Sequence, residues 1–100
     1  MRFVVQTFPT LTKYPSVVVD IGDFVQTEID SPADDKHSVR LRVMRPDPTA
    51  NKSFATVNIE WFHYRADAEA YMIKITSKYA IGTDDIKKVK DALTTFNPER

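Results

Sequence analysis

Apolar and polar positions alternate most cleanly between residues 38 and 64. Val39, Leu41 and Val43 alternate with Ser38, Arg40 and Arg42, and further on Val57, Ile59 and Trp61 alternate with Thr56, Asn58 and Glu60. Period two with β-branched and aromatic residues predicts two half-buried strands. Pro46 to Ser53 between them carries the strongest loop signal in the chain, so the two strands are expected to form an antiparallel hairpin. A slip of one residue would turn an apolar face to water. The expected register therefore sets Leu41 opposite Ile59, Val43 opposite Val57, Val39 near Trp61 and Arg40 opposite Glu60.

Upstream, Phe3 to Phe8 is a short β-prone run stopped by Pro9, and residues 9 to 16 read as an extended connection because each proline disfavours helix in its predecessor. Val17 to Asp30 is strongly β-forming, with Val17, Val19, Ile21, Val25 and Ile29 on one face. Gly22-Asp23 interrupts it, and a bulge or bend there is preferred over a tight hairpin. Ser31 to Lys36 is a polar turn. The same parity rule then places Val25 opposite Val43, Ile29 opposite Val39 and Glu28 opposite Arg40, so that a Glu28–Arg40–Glu60 ladder would cross the outer face.

From Arg65 the period changes. Ala66 to Ala70 is helix-forming, and Ala68, Tyr71, Met72, Ile75 and Tyr79 share one helical stripe. Tyr71, Ile73 and Ile75 also alternate as in a strand, and the alanine-rich start and length favour helix. Gly82 suits a left-handed end to this helix, and Thr83 is expected to cap the next, with Asp84 and Asp85 in its first turn. Ile86, Val89, Ala92, Leu93 and Phe96 form the buried stripe of that second helix, which Asn97-Pro98 stops. Strands followed by helices predict one α+β domain over residues 1–100, an antiparallel sheet of about four strands in β-β-β-β-α-α order with two C-terminal helices on one face. The odd-numbered face, including Val57, Ile59 and Trp61, is expected to be the core.

Composition narrows the function. At 100 residues, 42% apolar, the chain has the size and composition of one globular domain. Fourteen basic and fourteen acidic residues give no net charge, so no global field draws it to nucleic acid or an anionic membrane. Without cysteine there are no disulfides, thiolate nucleophiles or Cys-based zinc sites, and the cytoplasm is the expected location. No signal-peptide core is apparent, and no apolar stretch approaches the roughly 20 residues a membrane helix needs. Two glycines are too few for a phosphate-cradling loop. No cofactor and no small-molecule substrate are implied.

Asp20, Asp23, Glu28, Asp30, Asp34 and Asp35 crowd one region, with His37 near, yet in no calcium-loop or zinc-ligand spacing. A solvated turn is the preferred reading, and no metal ligand is assigned. By parity Asp23 would face the core, where an unpaired carboxylate is costly; a bulge or an edge pairing with Arg45 would relieve it. His63, at the end of its strand, has neighbours Asp67, Glu69 and Tyr64 but no motif. The five serines lie in no nucleophile elbow, and no catalytic residue is assigned.

Phe24, Arg40, Arg42, Met44, Phe62 and Tyr64 are expected on the outer sheet face, and this mixture is typical of an interface core. The preferred function is a non-enzymatic protein-interaction or structural module that self-associates through a sheet face or edge. One alternative is a small metal-dependent or acid/base hydrolase using Asp20, Asp23, His37 and His63. Another is a single-stranded nucleic-acid binder using Arg40 and Arg42 with the aromatic residues, aided by Lys87, Lys88 and Lys90. A competing role for the outer face is that Phe8, Leu11 and Tyr14 fold over it within the same chain.

Overall fold

The computed structural model describes residues 2–45, 53–79 and 82–94. Five strands, β1 (Phe3–Phe8), β2 (Ser16–Ile21), β3 (Val25–Ala33), β4 (Lys36–Arg45) and β5 (Ser53–Phe62), precede two helices, α1 (Arg65–Ser77) and α2 (Thr83–Leu93). The strands form one antiparallel sheet in sequence order. This is the α+β order expected, with one strand more than the four read from the pattern. No helix among the described residues is long and apolar enough to cross a membrane. The Pro46–Ser53 loop, Phe96 and the Asn97-Pro98 stop lie outside the described residues, apart from Ser53 at the start of β5.

The additional strand arises at Gly22. Val17 to Asp30 is not one bent strand: Ile21 pairs with Val25, and Gly22, Asp23 and Phe24 make the turn of a tight hairpin. Gly22 has φ 62, a left-handed conformation that costs a residue with a Cβ about 1–2 kcal/mol. Its N–H also donates to the carbonyl of Arg2 at 2.6 Å, which ties this turn to the start of β1. The hairpin carries Asp23 into solvent, so neither a bulge nor an ion pair is needed to relieve it.

Both helices cover the odd-numbered face. Val17, Val19, Ile21, Ile29 and Val39 from the sheet pack with Ala68, Met72 and Ile75 of α1 and Val89 and Leu93 of α2. Thr27 and Thr76, both fully buried, satisfy each other through their hydroxyls at 3.1 Å. Residues 71–77 are helical, so the alternation of Tyr71, Ile73 and Ile75 is not expressed as a strand. At α2, Gly82 takes the N-cap position in extended conformation (φ −134), and Thr83 is the first helical residue rather than the cap. The left-handed glycine of this chain is Gly22, not Gly82.

The β3–β4 register is the expected one: Val25 opposite Val43, Glu28 opposite Arg40, Ile29 opposite Val39. The β4–β5 register is not. Leu41 pairs with Asn58 and Arg42 with Thr56, leaving Val57 as an extra residue in β5. This bulge shifts the rest of β5 by one, pairing Arg40 with Ile59, Val39 with Glu60 and His37 with Phe62. Ile59 and Trp61 therefore share the outer face with Arg40 and Ser38. Asn58 and Phe62 turn to the helices, where Asn58 Nδ2 donates to the Tyr71 hydroxyl at 3.0 Å and the Phe62 ring lies 5.4 Å from that of Tyr71. The Glu28–Arg40–Glu60 ladder does not form.

Candidate functional site

The outer face of the sheet is built from the even positions of β1 to β4 and, beyond the bulge, from Ile59 and Trp61. No described helix packs on it. Asp20, Gln26, Arg42 and Glu28 form a polar chain along its middle. Gln26 Nε2 donates to Asp20 Oδ1 at 2.8 Å, and Arg42 donates through Nη1 to Gln26 Oε1 at 3.0 Å and through Nη2 to Glu28 Oε1 at 3.1 Å. Arg40 approaches the same glutamate at 3.9 Å, and its Nε is buried with no partner among the described residues. Glu28 thus holds Arg40 without Glu60, and together with Asp20 it balances the charge of the two arginines.

Around this polar centre lie apolar side chains. Trp61 is 57% exposed and Phe24 60%. Of the six residues expected here, Arg40, Arg42 and Met44 line one side of β4. Phe24 sits beside Met44, whose N–H donates to the Phe24 carbonyl at 2.7 Å. Tyr64 is exposed at the start of α1, at the other end of the sheet. Phe62 is a correction: the bulge turns it to the core face, and Trp61 stands on the outer face instead. Trp61 is the residue that parity alone misplaced, because an inserted residue in β5 leaves no mark on the hydrophobic pattern. A cleft of about 480 Å³ lined by Asp35, Lys36, Trp61, Phe62 and His63 opens at this end.

The N-terminal connection does not cover the outer face. Leu11 is 86% exposed and Phe8 is also exposed. Tyr14 turns to the helix side, where its ring meets His37 edge-on at 5.2 Å and lies 5.3 Å from the Arg65 guanidinium. Thr12 Oγ1 donates to the Ser31 carbonyl at 3.1 Å and helps hold this segment.

A second constellation, unforeseen from sequence, lies under α1. β3 carries a bulge at Ser31-Pro32 opposite His37, the kind of position where a strand tolerates proline. The bulge brings Ser31 Oγ within 2.7 Å of His37 Nδ1. The other ring nitrogen, Nε2, lies 3.0 Å from the Asp34 carbonyl, which only accepts, so Nε2 carries the proton. In the neutral ring Nδ1 then accepts from Ser31, and the serine oxygen accepts from Arg65 Nη1 at 2.6 Å. Arg65 also donates through Nη2 to the Pro15 carbonyl at 2.8 Å and through Nε to Glu69 Oε2 at 3.0 Å.

A serine–histidine contact invites a nucleophilic reading, but Ser31 and His37 are both fully buried. With no exposed surface, the hydroxyl meets no substrate. Burial pushes His37 below its ordinary value, the Arg65 charge pushes the same way, and the Asp34 carbonyl opposes both. Burial likewise pushes Arg65 down, against the pull of Glu69. The cluster ties the β1–β2 connection, the β3–β4 turn and α1 together.

The four groups considered for hydrolysis are not brought together. Asp20 bonds Gln26 on the outer face, Asp23 is in the β2–β3 turn, His37 is buried, and His63 is exposed, 3.2 Å from the Asp35 carbonyl. Among the described residues no three His, Cys, Asp or Glu side chains are placed to hold a metal ion. On α2, Lys87 is engaged by Asp91 at 3.0 Å. No protein-family model, curated protein or solved structure shows significant similarity to the chain.

Proposed function

We propose that the chain is a non-enzymatic interaction module that self-associates and binds another protein through the outer face of its sheet. The reading rests chiefly on the placement of Trp61. It is a large apolar side chain standing in solvent near the Asp20–Glu28–Arg40–Arg42 centre, where two carboxylates balance two guanidiniums, on a face that no described element covers. Burying such residues stabilises a complex, and aromatic and arginine side chains are what interface centres favour. A neutral centre also removes the field that phosphate binding would need.

Trp61 is the sole tryptophan, so its emission reports on this face alone. Paired capture with the wild type and Trp61→Glu as baits is expected to retain a protein on the first and lose it on the second. A blue shift of Trp61 emission on adding that protein would place the contact at this face. Equal retention on both baits refutes the partner reading. Sedimentation velocity over a wide concentration range tests self-association, and a chain that stays monomeric throughout refutes it.

A further inference from the structure

The two edges of the sheet differ in a way that names the surface for self-association. β5 is interrupted by the Val57 bulge and carries Glu60, devices that discourage strand addition. β1 has neither. Its sequence, Phe-Val-Val-Gln-Thr-Phe, contains no charge, proline or glycine, and its six pairs with β2 run without a register shift. No strand among the described residues lies beyond it. A regular, uncharged, β-prone edge is a template for another strand.

The direction of its hydrogen bonds follows from one observation. The Arg2 carbonyl receives the Gly22 N–H, so Arg2 faces β2. Backbone groups in an antiparallel strand alternate sides. Val4, Gln6 and Phe8 therefore bond to β2, while Phe3, Val5 and Thr7 direct their N–H and C=O groups to the open edge.

We propose that two copies of the chain pair β1 to β1, antiparallel, about a two-fold axis at Val5. This inference rests on the self-association proposed above and specifies where it occurs. A two-fold axis normal to the sheet pairs residues of equal parity and keeps both pairs of helices on one side. With the axis at Val5, Val5 faces Val5 of the second copy and Phe3 faces Thr7, and each pair exchanges two backbone bonds. An axis at Gln6 would set Phe3 against Pro9, which has no N–H. An axis at Val4 would slide Thr7 past Phe3 to residue 1, beyond the strand. On the outer face Val4 lies opposite Gln6, and the two sheets become one with the Trp61 faces at its ends. A strand of this length is small against the roughly 1,200–2,000 Å² of a stable interface, so the dimer is concentration-dependent.

The chain has no cysteine, which makes single-cysteine variants direct reporters. Hydrogen-bonded antiparallel pairs hold Cα atoms about 5.5 Å apart, within disulfide range. Val5→Cys is expected to cross-link to a dimer on mild oxidation, and Gln6→Cys, whose copies are offset along the strand, to remain largely uncross-linked. Thr7→Pro checks this independently. Its side chain is exposed and its N–H faces away from β2, so the fold should keep its circular dichroism and thermal transition. The dimer dissociation constant is expected to rise about tenfold or more.

Preferential cross-linking at Gln6, or a Thr7→Pro dimer as tight as the wild type, overturns the β1 geometry while leaving self-association standing. A Trp61 blue shift on wild-type dimerisation would then move the contact to the outer face. A wild type monomeric at every concentration overturns both.

Discussion

Arg65 and Arg42 each hold a glutamate at close to 3 Å, in opposite environments. The Arg65 side chain is 4% exposed beneath α1, whereas that of Arg42 is 25% exposed on the open face. Arg65 also donates to Ser31 and to the Pro15 carbonyl, groups from distant parts of the chain. Arg42 also donates to Gln26, in the neighbouring strand. Around Arg65 water cannot replace a lost partner, so the contacts act as a joint between elements. Around Arg42 water stands ready, and the contacts do little more than select a register. The same ionic chemistry is structural on one face of the sheet and replaceable on the other. A face with replaceable internal contacts is the one available to a partner.

The largest expected effect breaks the buried side of this comparison. Arg65→Met keeps much of the aliphatic stem but leaves the Pro15 carbonyl, Ser31 and Glu69 without their donor. Glu69 is partly solvated and can turn to water, whereas the other two cannot. A loss of about 3 kcal/mol is expected from chemical denaturation, with Tyr14 and the β1–β2 connection becoming more open to proteolysis. An Arg65→Met protein as stable as the wild type would remove the joint from the account.

Ser31→Ala sharpens the same point. It removes the acceptor for Arg65 Nη1 and the donor to His37 Nδ1 in one step, at a fully buried site. The expected cost is about 2 kcal/mol, and little of it should be recovered at high salt, because screening does not reach buried groups. Ser38 provides a control. It too is buried, but it stands on the outer parity of β4, away from this joint, so Ser38→Ala should cost less.

These contrasts also mark how far the sequence could be read. The β3–β4 pairing follows from parity and a short polar turn because both strands are regular from Val25 to Asp30, where a one-residue slip is heavily penalised. Parity fails one strand later at Val57, since a bulge on an edge strand adds a residue without altering composition. It also fails at Gly22, where a three-residue turn resembled a bend; the glycine was visible, but its sign of φ was not. The Ser31–His37 contact had one legible hint, Pro32 inside a strand, which favours a bulge. The third member, Arg65, stands 34 residues from Ser31 in sequence, and only the packing of α1 across the sheet brings them together. On the outer face, Arg40, Arg42 and Met44 were legible by alternation, while Trp61 was assigned to the core by the same rule that misread β5.

A pH effect of intermediate size should arise from the buried side. His37 has its pKa lowered in the fold, principally by burial. The unfolded chain therefore takes up a proton as pH falls below about 6.5 while the folded chain resists it. The unfolded state binds more protons in this window, so stability is fully present above it and declines as pH falls through it, by at most about 1.4 kcal/mol per pH unit. Protonation would also place a donor at Nδ1 against the Ser31 hydroxyl, which would then have to surrender its own donation. Urea midpoints for the wild type and His37→Asn across this range test the claim. The wild-type curve should be the steeper, and parallel curves would assign the acid sensitivity to other groups.

The smallest expected effect lies on the open face, where it decides whether the Arg42 side of the comparison is sound. Glu28→Gln keeps an oxygen for Arg42 Nη2 while deleting the charge shared by Arg40 and Arg42. The change should cost about 0.2–1 kcal/mol and shrink as salt is added. A double-mutant cycle with Arg42→Gln isolates the pair, and its coupling energy should fall in the same small range. The substitution also leaves two arginines with Asp20 as the remaining carboxylate of the centre, adding one net positive charge near Trp61. If the face binds a protein through apolar contacts, complex formation should change little, whereas any affinity for single-stranded nucleic acid should rise with the added field. A coupling energy well above about 1 kcal/mol would mean that the outer network is itself a joint. The partner surface would then have to be sought nearer Trp61, at the β5 end of the sheet.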